Sequence, residues 1–249
     1  MPGFVSHTVM AYDVFNKINK KNVSLEAMLT YSLGGDLCKY AKCRYDSHHI
    51  KQDIFIDNMA RYIKDNKLEN NKELVGVLYG HILHYVMDDT IHPLIRKVDK
   101  TCFKNKKNHS LIEEYYDSYL TKKIFKINKK EYLKRKILNI KVNKEISKMI
   151  DYTYDMTYHT CNVSKYYRFN LLLYKILRRI YLLFNINFIE IISGLKRFLI
   201  VNKDIDLYNN NHIIIYNSYL KKECDSSLDE LYNESIDRAI KYINKINIK

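Results

Sequence analysis

The sequence predicts an almost all-α protein, and three observations carry that reading. Only two prolines and six glycines occur in 249 residues, so few positions are built to end a helix or turn sharply. Apolar residues recur at intervals of three and four along most of the chain, the spacing of a helix face rather than of a strand. Hydrophobic residues make up 47% of the total, enough for a substantial core, and no long polar run suggests disorder. No internal repeat and no obvious linker interrupt the pattern. The expected architecture is a single-domain helical bundle over residues 1–249, with a core over 1–160 and a C-terminal helical extension over 161–249.

In chain order, residues 4–18 read as a first helix, with Phe4, Val5, Val9, Tyr12, Val14 and Phe15 apolar and His7 among them. Ser24 is placed to cap a second helix through Leu25, Met28 and Leu29. Gly34-Gly35 ends it, and Asp36 follows at once. Asp36 is either a plain loop or capping residue or a carboxylate that the glycine pair lets into a site. His48-His49 precedes a helix over 50–64; the pair is either solvent-exposed or supplies one ligand.

Residues 73–91 form the central helix, which Pro93 is expected to stop at His92, because the residue before a proline is pushed away from helical geometry. A basic loop over 97–108 follows, and His109-Ser110-Leu111-Ile112-Glu113 opens the next helix. Residues 128–160 hold one or two helices, with His159 isolated and structural. Residues 168–200 alternate apolar runs with Lys175, Arg178, Arg179, Lys196 and Arg197. They read either as core helices with snorkelling basic side chains or as an interfacial helix on anionic lipid. A polar loop spans 204–216, and Ser227-Leu228-Asp229-Glu230 is a capping-box pattern that opens the last helix, ending near Ile246.

The chemistry is concentrated in the central helix. Its run His84-Tyr85-Val86-Met87-Asp88-Asp89-Thr90-Ile91-His92-Pro93 places His84, Asp88 and His92 at i, i+4 and i+8, one stripe down a helix. Leu74, Val75, Val77, Leu78, Ile82, Leu83, Val86 and Met87 surround the stripe, so it is expected to be buried. A buried carboxylate between two imidazoles needs a partner, and a metal ion is a common one. A hydrogen-bonded core network is the alternative. His81 is either a group behind the ligands or a core histidine. His109 and Glu113 repeat the i, i+4 spacing, and seven of the nine histidines fall between His7 and His109.

Composition bounds the rest. The net charge of +14 fits an anionic partner such as nucleic acid or a phospholipid surface, and fits equally a base-composition bias that over-uses Lys, Asn, Ile and Tyr together. Five cysteines with no Cys-x-x-Cys pair fit free thiols better than a disulfide framework. No signal-peptide pattern is seen at the N-terminus, so a cytoplasmic location is expected. The longest charge-free stretch in the most apolar region is 180–189, ten residues where a bilayer needs about 20.

With these residues assembled, the chain resembles the zinc-dependent phospholipase C family and, more distantly, the single-strand-specific zinc nucleases of the same fold. The opening Met1-Pro2-Gly3-Phe4-Val5-Ser6-His7 is similar to the short start of intracellular members. Residues 80–93 resemble their His-x-x-x-Asp-x-x-x-His-Pro helix, and His109 to Glu113 their later His-x-x-x-Glu helix. Asp206-Leu207-Tyr208-Asn209, His212, Tyr216 and residues 227–232 resemble the closing pattern more loosely.

The resemblance implies an all-α fold with zinc ions at the bottom of a cleft, two to three of them here. It implies that Met1 is removed, and that the amine and carbonyl of Pro2 bind one zinc together with His7. Asp88 then bridges to a neighbour that also takes Asp36, His84 and His48, the latter favoured over His49 by spacing. His92, His109 and Glu113 hold the remaining zinc. The implied activity is hydrolysis of an anionic phosphodiester by metal-activated hydroxide, with Asp36 as ligand and catalytic base. A phospholipid is favoured as substrate, because Glu113 matches the lipases where the nucleases carry Asp, and a peripheral membrane surface is left open as a partner. A single-strand nuclease or nucleotide phosphodiesterase is the first alternative, and a non-catalytic metal-stabilised module the second. Arg44, Lys97 and Lys104 are candidates for holding the substrate's charge.

Overall fold

Where helix-ending signals are scarce, the helices are long. The computed structural model describes residues 4–18, 21–41, 43, 50–103, 109–135, 139, 141–184, 213–217 and 221–246. The helices are α1 (Phe4–Lys17), α2 (Leu25–Tyr31), α3 (Gln52–Asp65), α4 (Lys72–Phe103), α5 (His109–Phe125), α6 (Lys129–Lys134), α7 (Lys144–Tyr158), α8 (Ser164–Phe184) and α9 (Leu228–Lys245). A short 3-10 turn, Gly34–Cys38, lies between α2 and α3. Strands β1 (Ile213–Asn217) and β2 (Lys222–Ser226) form an antiparallel hairpin with Ile215 opposite Cys224. The described residues are thus predominantly α-helical, closed by a C-terminal helix.

Local chemistry explains the helix ends. Ser24 accepts a hydrogen bond from the Ala27 amide at 3.2 Å and starts α2. Asn128 and Asn143 do the same for α6 and α7, accepting from Glu131 and Ile146 at 2.8 and 2.9 Å. His159 ends α7 in the left-handed conformation, φ 53°, and is exposed, in keeping with a structural role. The capping box is formed: Ser227 donates its amide to Glu230 at 2.8 Å, and the Glu230 amide returns a bond to Ser227 Oγ at 3.3 Å.

Three expectations are corrected. Pro93 does not stop the central helix: α4 continues to Phe103, so His92 lies inside a 32-residue helix and residues 97–103 are helix rather than loop. The missing Pro93 amide costs roughly 3 kcal/mol. Ile91, Leu94, Ile95 and Val98 are all buried around it, and each recovers about 1.5–3 kcal/mol, so continuation wins. The loop read over 204–216 ends in β1, where Ile215 and Asn217 are buried and Ile214 and Tyr216 exposed, the two-residue period of a strand.

The chain groups into two compact units, one of Met1–Val9, Val86–Arg135 and Arg178–Arg238, the other of Met10–Tyr85, Lys136–Leu177 and Ala239–Lys249. The first is held by a buried ionic cluster. Lys129, on α6, pairs with Glu114 and, at 3.4 Å, with Asp117. Burial lowers the Lys129 pKa but the two carboxylates outweigh it, so it rises and the ammonium stays charged. The second is built on rings: Phe55 packs edge-on against Tyr154 at 4.9 Å, and His81 stacks on Tyr167 at 5.9 Å. There α2 lies directly on α4, because a Cβ on Gly80 would come within 2.6 Å of the Tyr31 carbonyl carbon.

Candidate metal centre

His7 is fixed by its neighbours in sequence. Ser6 donates both its amide and its hydroxyl to Asp117 Oδ1, at 2.8 and 2.5 Å, anchoring the first turn of α1 to α5. Thr8 donates to the Val5 carbonyl at 2.8 Å and accepts from Tyr132 at 3.1 Å. Between these anchors the buried His7 turns Nε2 to Asp88 Oδ1 at 3.3 Å. Asp88 and His92 follow each other by one turn of α4.

His92, His109 and Glu113 come together. One ligand atom of each lies within 4.8 Å of the other two, and the His109 Nε2 to Glu113 Oε1 distance is 2.8 Å. The two imidazole centroids are 5.6 Å apart. His92 Nε2 is buried and meets no hydrogen-bond partner among the described residues. Burial, above all, pushes the His92 pKa down to about 3 and that of His109 to about 4. Both rings are therefore neutral near pH 7, the form that offers a lone pair to a metal ion. Two imidazole nitrogens and a carboxylate oxygen suit zinc, and three protein donors leave a fourth position open.

Asp36 and His84 are likewise buried. Gly34, at φ +40°, brings the 3-10 turn against the His84 ring, where an ideal Cβ would sit 2.3 Å from His84 Cγ. The close approach expected of the glycine pair is thus realised, and only glycine fits there. Asp36 and His84 both carry donor atoms that could ligate a metal ion. Pro2 and His48, the other expected ligands, fall outside the described residues, as do Arg44 and Lys104.

His81, on the same helix, resolves the other way. Its Nδ1 lies 2.9 Å from the Val77 carbonyl and its Nε2 2.9 Å from the Tyr167 hydroxyl, so both ring nitrogens are satisfied. It is a core histidine.

Two charged residues escaped the sequence reading. Arg238, on α9, donates to Asp89 Oδ2 at 2.7 Å and to Thr90 Oγ1 at 2.6 Å, pinning the turn of α4 that follows Asp88. Nothing in its sequence neighbourhood signals this. Arg96 continues the stripe of His84, Asp88 and His92 by another four residues, and its charge helps to lower both the His92 and the His109 pKa. The i+4 spacing was the available signal. No helix among the described residues is long and apolar enough to cross a membrane. No family model matches the chain, and neither a curated protein nor a solved structure matches it.

Proposed function

We propose that this chain is a zinc-dependent phosphodiesterase of the phospholipase C type, acting inside the cell on a phospholipid. The observation that carries the reading is the convergence of His92, His109 and Glu113, whose ligand atoms all lie within 4.8 Å. By the resemblance, Pro2, His7, Asp36, His48, His84 and Asp88 would supply the remaining ligands. Zinc bound by these residues supplies Lewis acidity and brings the pKa of a bound water from about 15.7 to ≈ 7.

The protein groups do the rest. Asp36 takes the proton of the attacking water, which a carboxylate does best when desolvated and held close. Arg96 offers a guanidinium to a phosphoryl oxygen, where negative charge grows during displacement. His92, His109 and Glu113 orient the centre beside it. A nuclease is the second reading, supported by the net charge of +14.

The test is metal analysis followed by a substrate panel. Zinc-loaded protein should hold about two to three zinc ions per chain and melt lower after chelation. It should release headgroup from phospholipid faster than it cleaves single-stranded DNA. Less than one zinc per chain would overturn the site, and faster DNA cleavage would overturn the substrate.

A further inference from the structure

Helix α8 carries charge and apolar surface in an arrangement that neither the fold nor the metal centre uses. Its sequence, Ser164–Phe184, contains five cations (Lys165, Arg168, Lys175, Arg178 and Arg179) and no acidic residue. Tyr167, Asn170 and Leu171 are buried, and Asn170 donates to the Leu37 carbonyl at 3.0 Å, so this face is committed to the protein. The opposite face is apolar and open. Phe169 is 53% exposed, Leu172 57% and Leu183 77%, with Ile176 and Ile180 exposed between them. Intervals of three, four, four and three residues put all five on one stripe.

Exposed Lys165 falls within that stripe and exposed Arg179 at its edge. Arg168 is partly engaged, donating to Ser147 Oγ at 2.6 Å. Arg178 is half-buried, and its Nε has no hydrogen-bond partner among the described residues. The aromatic edge extends past the helix, where Tyr40, itself 52% exposed, packs edge-on against Phe169 at 5.7 Å, with Lys39 Nζ 5.9 Å from the Tyr40 ring.

We infer that this face of α8, with Tyr40 beside it, docks on the surface of an anionic phospholipid bilayer. An open, mostly aliphatic stripe gains by leaving water for the acyl boundary, and the exposed cations Lys165 and Arg179 gain by meeting anionic headgroups. Nucleic acid also attracts cations, but its bases stack on aromatic rings, and four of the five stripe residues are aliphatic. The inference deepens the phospholipid reading above by naming the surface on which the substrate lies. It is tested by binding, which does not depend on turnover.

The experiment is co-sedimentation of the zinc-loaded full chain with vesicles of phosphatidylcholine, alone or with about a third phosphatidylglycerol. Two double variants accompany the parent, Leu172→Asn/Leu183→Asn and Lys165→Glu/Arg179→Glu, all at exposed positions. Headgroup release is read from the same tubes.

The parent should bind the anionic vesicles at least about tenfold more tightly than the neutral ones, with each double variant losing about tenfold at an unchanged melting temperature. Equal binding to both vesicle types, or parent-like binding by both variants, overturns the inference. So does retention on single-stranded DNA, abolished by the charge variant, without vesicle binding. Binding without headgroup release leaves the surface standing and removes the enzyme reading. Release from a soluble phosphodiester without binding does the reverse.

Discussion

His81 and His92 sit on one helix, are both buried, and are both held neutral by burial, yet they do different things. His81 spends its two nitrogens on the Val77 carbonyl and the Tyr167 hydroxyl, each at 2.9 Å. His92 keeps a buried Nε2 without a hydrogen-bond partner among the described residues, beside His109 and Glu113. The pKa values, about 4 and about 3, do not separate them. What separates them is where the second ring nitrogen goes. A depressed histidine marks burial, and a buried nitrogen aimed at other donors marks a site.

Gly34 gives the harshest way to break that comparison, because it touches the third histidine of the helix. Gly34→Ala must adopt φ +40° and place a methyl 2.3 Å from His84 Cγ. The strained backbone and the overlap together should cost about 3–5 kcal/mol. A lower melting temperature with loss of zinc is expected. An alanine variant that melts and binds zinc like the parent would mean that His84 is not held by the turn carrying Asp36.

The comparison itself is sharpened by paired substitutions. His92→Ala should shed about one zinc and slow phosphodiester hydrolysis by at least about 100-fold, since even groups behind a metal ligand are worth 10–100-fold. His81→Gln removes only a buried hydrogen-bonding ring and should keep its zinc, at a stability cost of about 1–3 kcal/mol. Zinc content and turnover of the two proteins check this. Equal zinc loss from both would erase the distinction.

How much of this was legible in the sequence depends on how local each signal was. The stripe His84, Asp88, His92 lies in nine residues and needs only helical geometry to be read. The caps at Ser24 and Ser227 are equally local, and both are formed. Pro93 misled because a proline penalty is local while the burial that overrides it is not. Before β1, the Asn209-Asn210-Asn211 run hid the strand signal of Ile213-Ile214-Ile215-Tyr216. The cluster of Lys129, Glu114, Asp117 and Ser6 joins residues up to 123 positions apart, and no pattern along the chain announces it. Arg238, reaching Asp89 across 149 positions, is invisible for the same reason.

The smallest expected effect isolates the core histidine by pH. His81 is held down from 6.5 to about 4 by burial, against the opposing hydrogen bond to Val77. The groups packed on it are Tyr31, Phe55 and Tyr167, none of them charged near neutrality. Above pH 6.5 His81 is neutral in both the folded and the unfolded chain and contributes no pH dependence. As pH falls below that value the unfolded chain takes up a proton that the folded chain refuses, so stability drops until the folded pKa is reached.

At about pH 5 the loss from His81 should be about 2 kcal/mol, one and a half pKa units at about 1.36 kcal/mol each. His92 and His109 add losses of the same sign, so the parent's acid sensitivity alone does not identify the source. Denaturant unfolding of the parent and of His81→Gln at pH 7 and about pH 5 separates them. The variant should lose about 2 kcal/mol less than the parent over that interval. If the two proteins lose stability in parallel, the acid sensitivity belongs to the metal-centre histidines instead, and His81 is not the group that titrates on unfolding.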